Sequence, residues 1–98
     1  MRSHYLVSYD ISDPDRLRRV FQVVRNFGDR LQLSVFLCQL SLQEFVLLRE
    51  RLRDRINQAE DQVLFVRLSA VEARDGLEER VEHLGRAPTL PDDQLLIF

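Results

Sequence analysis

Tyr5-Leu6-Val7-Ser8-Tyr9-Asp10 is a short apolar run that ends on a carboxylate, and a turn-forming segment, Ile11-Ser12-Asp13-Pro14, follows it at once. Its aromatic and β-branched residues predict a central strand over His4–Tyr9, covered on at least one face. An aspartate that follows a strand can bind a metal, but such a residue more often caps a helix or forms a turn. The residues alone therefore leave both roles open for Asp10.

Length and composition predict a single folded domain: 98 residues, 45% of them hydrophobic and 31% charged. No stretch approaches the roughly 20 apolar residues of a membrane helix, so we expect a cytoplasmic protein without membrane association. The single cysteine, Cys38, lies in an apolar run and is expected to be a buried, inert thiol. The net charge of −2 hides a gradient, because residues 1–57 carry ten arginines against seven acids. A cationic face is therefore possible in this half of the chain.

The first helix is predicted to begin at a cap formed by Ser12, with Pro14 in its first turn, and to end at Gly28 in a left-handed conformation. The arginines around this helix are compatible with a solvated face or with phosphate binding. The residues expected on its buried face are Leu17, Val20, Phe21, Val24 and Phe27.

Residues 29–40 alternate with a period of two, which predicts extended chain. They suit one long bent strand or two short ones, with Ser34 as the kink. Leu31, Leu33, Val35 and Leu37 share one register, and Phe36 falls on the polar one. Phe36 is therefore assigned either to a second buried face or to a dimer contact.

The second helix opens at a capping box, Ser41-Leu42-Gln43-Glu44, and surface ion pairing explains most of its charged residues. A further strand is predicted over Val63–Leu68. This order of elements predicts an α+β, ferredoxin-like βαββαβ sandwich, an antiparallel sheet with two helices on one face. The buried stripe of the second helix is Phe45, Leu48, Leu52 and Ile56.

Residues 1–68 form the predicted core, and residues 69–98 form a C-terminal extension. Propensity favours a helix over Leu77–Leu84, although Arg80–Leu84 also alternates like a strand. The apolar tail, Gln94–Phe98, is expected to dock within the protomer or across a dimer.

Carboxylate chemistry is the best-supported chemistry of the chain. A Ser/His/Asp or Cys/His hydrolase is poorly supported, and neither a glycine-rich phosphate loop nor a zinc-binding spacing is present. Mg²⁺ takes one or two carboxylates, keeps several waters and uses phosphate oxygens of its substrate. Two Asp10 side chains across a two-fold axis would make such a site, whereas Asp13 is better explained as a helix cap.

Several short stretches, in this order and at this spacing, resemble the second CRISPR-associated protein family. The resemblance covers almost the whole chain apart from residues 69–79. The stretches that carry it are Tyr9-Asp10-Ile11-Ser12-Asp13, Gly28-Asp29-Arg30-Leu31-Gln32, Ser34-Val35-Phe36, Glu60-Asp61-Gln62-Val63, Val81-Glu82-His83-Leu84-Gly85 and Leu96-Ile97-Phe98.

The resemblance implies a homodimer of ferredoxin-like subunits packed sheet to sheet, with an additional C-terminal strand near Arg80–Leu84 that docks on the partner subunit. It also implies hydrolysis of phosphodiester bonds in RNA or DNA with Mg²⁺ or Mn²⁺, and Asp10 as catalytic residue and metal ligand. The positions that match other residues of the family's site are Tyr9, Arg19, Arg30, Ser34 and Phe36, and Arg16 and Arg18 lie where helix arginines meet a nucleic-acid backbone.

Two substitutions and one insertion depart from the family pattern. Leu33 stands where many members carry tyrosine or asparagine, and Leu37 stands where an acid is frequent, so both are expected to alter the polarity of the cleft. Residues 69–79 are longer and more acidic than usual. An acidic loop would repel phosphates, so it is expected to point away from a bound strand.

Three functions remain in competition. The first is a metal-dependent endonuclease that acts in spacer acquisition for antiviral defence, with Arg19 and Arg30 steadying the phosphate. The second is a non-catalytic homodimeric scaffold that bridges the adaptation integrase and binds duplex DNA. The third, with the resemblance set aside, is an unrelated ferredoxin-like regulatory domain that binds a small ligand or a partner.

Overall fold

The structure, a computed structural model, describes residues 1–70 and 82–88. Within these ranges, four strands and two helices follow one another in the predicted order. They are β1 (Arg2–Asp10), α1 (Pro14–Val24), β2 (Gly28–Gln32), β3 (Val35–Ser41), α2 (Leu42–Arg53) and β4 (Gln62–Ala70). The four strands form one antiparallel sheet in the order β2-β3-β1-β4. This is the ferredoxin-like α+β arrangement, and the fold prediction is confirmed.

The hydrophobic core lies between one face of the sheet and the two helices. Alternate residues of β1 point into it, and Val7 is paired with Phe36 on β3 and with Phe65 on β4. Val20 and Val24 of α1 and Leu48 and Leu52 of α2 close the core from the helix side. Cys38 is fully buried in this core, as expected, and burial raises the pKa of its thiol to about 12.

Of the two caps predicted for the first helix, Asp13 is confirmed and Ser12 is wrong. Asp13 is the N-cap, and its carboxylate accepts a hydrogen bond from the backbone N–H of Arg16 at 2.9 Å. The hydroxyl and backbone N–H of Ser12 instead donate to Asp61, 49 residues along the chain. A long-range partner therefore overrides the local capping preference of serine.

The predicted left-handed helix cap at Gly28 is also wrong. Helix α1 ends with Arg25 in a right-handed conformation, and Gly28 is the first residue of β2. A methyl group at Gly28 would overlap Cys38 Sγ and the carbonyl oxygen of Leu37. Glycine is suited to this position because the two strands approach closely, not because the backbone turns.

Residues 28–41 form a hairpin, so the interpretation as two short strands is confirmed. Leu33 and Ser34 make the turn, and Leu33 is 81% exposed rather than part of a buried register. Phe36 is buried beneath the helices, which confirms its assignment to a second buried face. Leu37 is buried on the opposite face of the sheet, paired with Leu6.

Helix α2 begins at the predicted capping box. The Ser41 hydroxyl accepts from the N–H of Glu44, and the Glu44 carboxylate accepts from the N–H of Ser41. This backbone hydrogen bond lowers the pKa of Glu44. Surface ion pairing, however, accounts for Arg53 alone among the four arginines of residues 49–55 in the described part of the chain, through its contact with Glu50. The positive charge of α2 is therefore less neutralised than the sequence pattern indicates.

The second face of the sheet carries apolar side chains, including Leu64 and Val66, which are 49% and 47% exposed. Residues 82–88 approach this face outside any helix or strand, beside Leu6 and Leu68. The predicted additional C-terminal strand, the helix over Leu77–Leu84 and the docked tail fall wholly or mainly on residues 71–81 and 89–98, outside the described ranges. Neither helix of the described residues has the length and apolarity that crossing a bilayer requires.

Candidate active site

A cleft of about 460 Å³ opens where β1 ends, α1 begins and the β2–β3 turn folds over them. It contains five of the predicted site residues. These are Tyr9, Asp10, Arg18, Arg30 and Ser34.

Asp10 is the last residue of β1 and is exposed. It is paired in register with Gln62 at the start of β4, so the backbone that carries it is held inside the sheet. Among the described residues, none donates a hydrogen bond to its carboxylate or forms an ion pair with it. The capping work is done by Asp13. The sheet therefore holds the backbone of Asp10 in place, and the oxygens of its carboxylate remain available to a ligand.

Tyr9 and Arg30 form the inner wall of the cleft. Tyr9 is only 5% exposed, and its ring stacks on Phe36 with 6.2 Å between ring centroids. Burial raises the pKa of Tyr9, and the charge and hydrogen bond of Arg30 act in the opposite direction. The phenol is therefore a neutral hydrogen-bonding group at ordinary pH.

The guanidinium group of Arg30 lies over the ring of Phe21, 4.4 Å from its centroid. Such stacking fixes the plane of an arginine while its edge can still donate hydrogen bonds. Within the described residues no carboxylate forms an ion pair with Arg30. A charged, oriented donor therefore shares the cleft with Asp10.

The turn between β2 and β3 forms the outer wall. The carbonyl oxygen of Ser34 accepts a hydrogen bond from the N–H of Tyr9 at 3.1 Å, which ties the turn to the end of β1. Leu33 extends from this turn into solvent and lines the cleft, so an apolar side chain stands at this position of its wall. Leu37 does not line it, and the expectation for that position is wrong.

The structure keeps three other predicted site residues out of the lining of this cleft. Arg16 is engaged by Asp61 and Glu60, at 2.7 and 3.0 Å. Arg19 projects into a groove between α1 and α2. Phe36 lies beneath the cleft, where it supports the rings of Tyr9 and Phe21.

Sequence reasoning assigned no role to Asp61, although the residue belongs to a stretch that carries the family resemblance. Its side chain is fully enclosed, and its carboxylate accepts hydrogen bonds from the Arg16 side chain, from the N–H of Asn57 and from both the N–H and the hydroxyl of Ser12. The Arg16 hydrogen bond, supported by the backbone donors, holds the pKa of Asp61 well below its usual range. Asp61 thus fixes the segment that follows Asp10.

Phe21 was predicted only as a core residue, but it also lines the cleft and carries Arg30. Its helical spacing gave no signal beyond burial, because a core stripe and a cleft wall have the same period.

One chain provides only part of the ligand set that a hard divalent cation requires. The described residues contain no group of three or more His, Cys, Asp or Glu side chains that could hold a metal. Asp10 is nonetheless an available carboxylate, and Mg²⁺ accepts one or two carboxylates together with water and phosphate oxygens. The residues present are therefore compatible with an ion that a substrate or a second chain helps to bind.

Comparison with known families gives a consistent match. The profile of the family "CRISPR associated protein Cas2" matches residues 2–75. The CRISPR-associated endoribonuclease Cas2 of Geobacter sulfurreducens is 36% identical over 86 residues, which are 88% of this chain and 87% of that protein. The CRISPR-associated endonuclease Cas2 of Halalkalibacterium halodurans is 30% identical over 98 residues, 95% of this chain and 97% of that protein.

Solved structures agree with the sequence relatives. The crystal structure of Streptococcus pyogenes Cas2 at pH 6.5 superposes with a TM-score of 0.71 at 34% identity, covering 84% of this chain and 99% of that one. A hypothetical protein from Thermus thermophilus superposes with a TM-score of 0.77 at 29% identity, covering 94% of this chain and all of that one.

Proposed function

Because the chain belongs to the Cas2 family of CRISPR-associated proteins, we propose that it is a metal-dependent endonuclease that hydrolyses phosphodiester bonds in RNA or DNA during spacer acquisition. The observation that carries the proposal is the available Asp10 carboxylate in a cleft that also holds Arg30 and Arg18. Two relatives are named endoribonuclease and endonuclease, which supports the proposal. Family membership removes the interpretation as an unrelated regulatory domain.

The chain's own residues have distinct tasks in this mechanism. Arg30, held flat on Phe21, donates to the non-bridging oxygens of the scissile phosphate and stabilises the charge that grows on them in the transition state. Arg18 lines the same cleft, and its contact with Asp15 at 3.2 Å leaves it largely exposed for a neighbouring phosphate. Asp10 would hold the cation, and Tyr9 remains a neutral donor beside the phosphate.

A bound Mg²⁺ or Mn²⁺ supplies the activation of the attacking water and the polarisation of a phosphoryl oxygen. One carboxylate per chain is a minimal ligand set, so we propose that the enzyme is a homodimer in which two Asp10 side chains approach across the two-fold axis.

A second candidate function is the non-catalytic scaffold, a homodimer that binds duplex DNA and bridges the adaptation integrase. The sparse ligand set favours it, because the described residues offer no cluster of three metal-binding side chains. The two functions use the same fold and the same positive residues. They differ in whether the Asp10 carboxylate is required.

The deciding experiment compares wild type with Asp10→Ala and Asp10→Asn on purified RNA and duplex DNA, with Mg²⁺, Mn²⁺ or chelator. We expect both variants to lose at least about a hundredfold in metal-dependent cleavage rate, because no other carboxylate described in the cleft replaces Asp10. Asp54→Asn is the matched control, since it removes one exposed carboxylate outside the cleft.

Equal residual cleavage in wild type and both Asp10 variants would indicate a contaminating nuclease and contradict the endonuclease proposal. Loss of cleavage with intact spacer acquisition in cells would assign the physiological role to the scaffold.

A further inference from the structure

A second positively charged feature lies on the outer surface of the helix layer. A groove of about 350 Å³ runs between α1 and α2, and three arginines line it: Arg19 from α1, Arg51 from the last turn of α2, and Arg55 from two residues beyond the end of that helix. The amide side chains of Gln22 and Asn26 complete its polar lining. None of the described residues that line the groove is acidic, so all its charged groups are hydrogen-bond donors.

Three other arginines of the two helices are neutralised by carboxylates, whereas Arg49, which lies over the Phe45 ring, has no ion pair with the described residues either. Arg16, Arg18 and Arg53 each form an ion pair with a carboxylate. Arg19, Arg51 and Arg55 form none with the described residues. Three like charges in one groove repel each other unless an anion joins them. The carboxylates of both helices thus pair with other arginines, and this groove keeps its positive charge.

The groove is also partly organised in advance. The guanidinium group of Arg51 lies 5.7 Å from the centroid of the Phe27 ring, and Arg55 donates to the carbonyl oxygen of Arg51 at 3.2 Å. Val23 forms an apolar, 8% exposed part of the lining. Held side chains lose less entropy when they bind, and planar guanidinium groups match the oxygens of a phosphate.

We propose that this groove is a second phosphate-binding site, which takes successive phosphodiester groups of a nucleic-acid strand outside the cleavage cleft. The inference rests on the proposed function for the identity of the ligand and adds to it Arg51 and Arg55, in a groove separate from the Asp10 cleft. An acidic peptide is disfavoured because peptide docking usually also uses apolar pockets, and the groove offers only the nearly buried Val23.

The test measures binding of a labelled single-stranded RNA and a labelled DNA duplex by fluorescence anisotropy between 50 and 200 mM NaCl. All proteins carry Asp10→Asn, so that the probe is not cleaved. The test variant is Arg51→Gln/Arg55→Gln. The control is Arg49→Gln/Arg53→Gln, which removes the same charge at the same spacing from positions of α2 that do not line the groove.

We expect the test variant to bind roughly tenfold more weakly at 100 mM salt, with the slope of log affinity against log salt reduced by about 1.8 for duplex and about 1.4 for single strands. The control should change affinity less than about twofold. Circular dichroism melts of both variants verify the fold.

Equal weakening in both double variants would overturn the inference, because it would reflect net charge alone. Tighter Arg51/Arg55-dependent binding of poly-glutamate than of nucleic acid would overturn it in favour of an acidic protein partner, and binding of free inorganic phosphate without either probe would overturn it as well.

The two proposals fail separately. If the wild-type protein shows no cleavage, while the test variant loses nucleic-acid binding, the endonuclease proposal fails and the proposed phosphate-binding site is supported. If cleavage depends on Asp10 while both double variants bind like wild type, the proposed phosphate-binding site is contradicted and the endonuclease proposal is supported.

Discussion

Asp61 has the most extensive set of hydrogen bonds of any side chain in the described residues, and its position explains how a short chain fixes its candidate catalytic residue. The carboxylate joins α1, through Arg16, to the turn before β4, through Asn57. It also holds both donors of Ser12, two residues after Asp10. Removing one partner of an enclosed charge pair leaves the other without compensation.

We expect Asp61→Asn to lower the midpoint of thermal unfolding by roughly 5 °C or more at pH 7. The pKa of Asp61 is depressed in the folded state, so its contribution is complete above its unfolded pKa of about 4 and is lost as pH falls toward the folded pKa. The difference in midpoint between wild type and variant should therefore be constant above about pH 5 and shrink at lower pH. Calorimetry from pH 3 to 7 measures it.

Glu60→Gln is the control for this change, because Glu60 also contacts Arg16 but is 59% exposed. Its midpoint should stay close to that of wild type. Equal effects at the two positions, or a difference that grows in acid, would contradict the role given to Asp61.

At the scale of the element, the β2–β3 hairpin positions Arg30 and Ser34, and Gly28 allows it to close. The strands pair with Gly28 opposite Cys38, so a side chain at Gly28 would have to occupy the space of Cys38 Sγ and the Leu37 carbonyl oxygen. Overpacking of this kind costs about 1–3 kcal/mol when the neighbours cannot move away.

Gly28→Ala is expected to reduce the free energy of unfolding by about 1–3 kcal/mol, measured by urea denaturation. In a Cys38→Ala background, Gly28→Ala should still reduce the free energy of unfolding, although by less. The Leu37 oxygen belongs to the backbone and stays in place. Full recovery in that background would show that the sulfur alone causes the overlap.

At the scale of the whole molecule, the sheet has one face in the core and one that retains exposed apolar side chains. Leu64 and Val66 of β4 lie on this second face, beside Leu6 and Ser8 of β1. Exposed apolar surface on a small protein commonly marks an interface. The feature supports the proposed sheet-to-sheet dimer.

Val66→Glu is expected to weaken self-association roughly tenfold or more, since the interface would bury a charge without a partner. Val46→Glu is the control, because Val46 has a similar exposure of 45% but lies on α2, in the helix layer. Sedimentation equilibrium measures both variants, and metal-dependent cleavage should fall together with dimer content for Val66→Glu alone. A monomeric wild type, or equal effects of both variants, would contradict a dimer through this face.

The order of elements, the fold class and the position of Asp10 at a strand end follow from local sequence patterns, because hydrophobic period and the Ser41–Glu44 capping box depend on neighbours within a few residues. Short stretches at fixed spacing also indicated the family, whereas the alternation of residues 29–40 left one long bent strand or two short ones open. These features are local, so the printed residues suffice to predict them.

Which polar groups meet depends on how the chain packs in three dimensions. The packing pairs Arg16 and Ser12 with Asp61, and it brings Arg30 onto Phe21 beside Asp10. It also separates Arg19 from that cleft. The physical reason is that an ion pair or a stacked guanidinium depends on distances between residues far apart in the chain, which local periodicity does not encode.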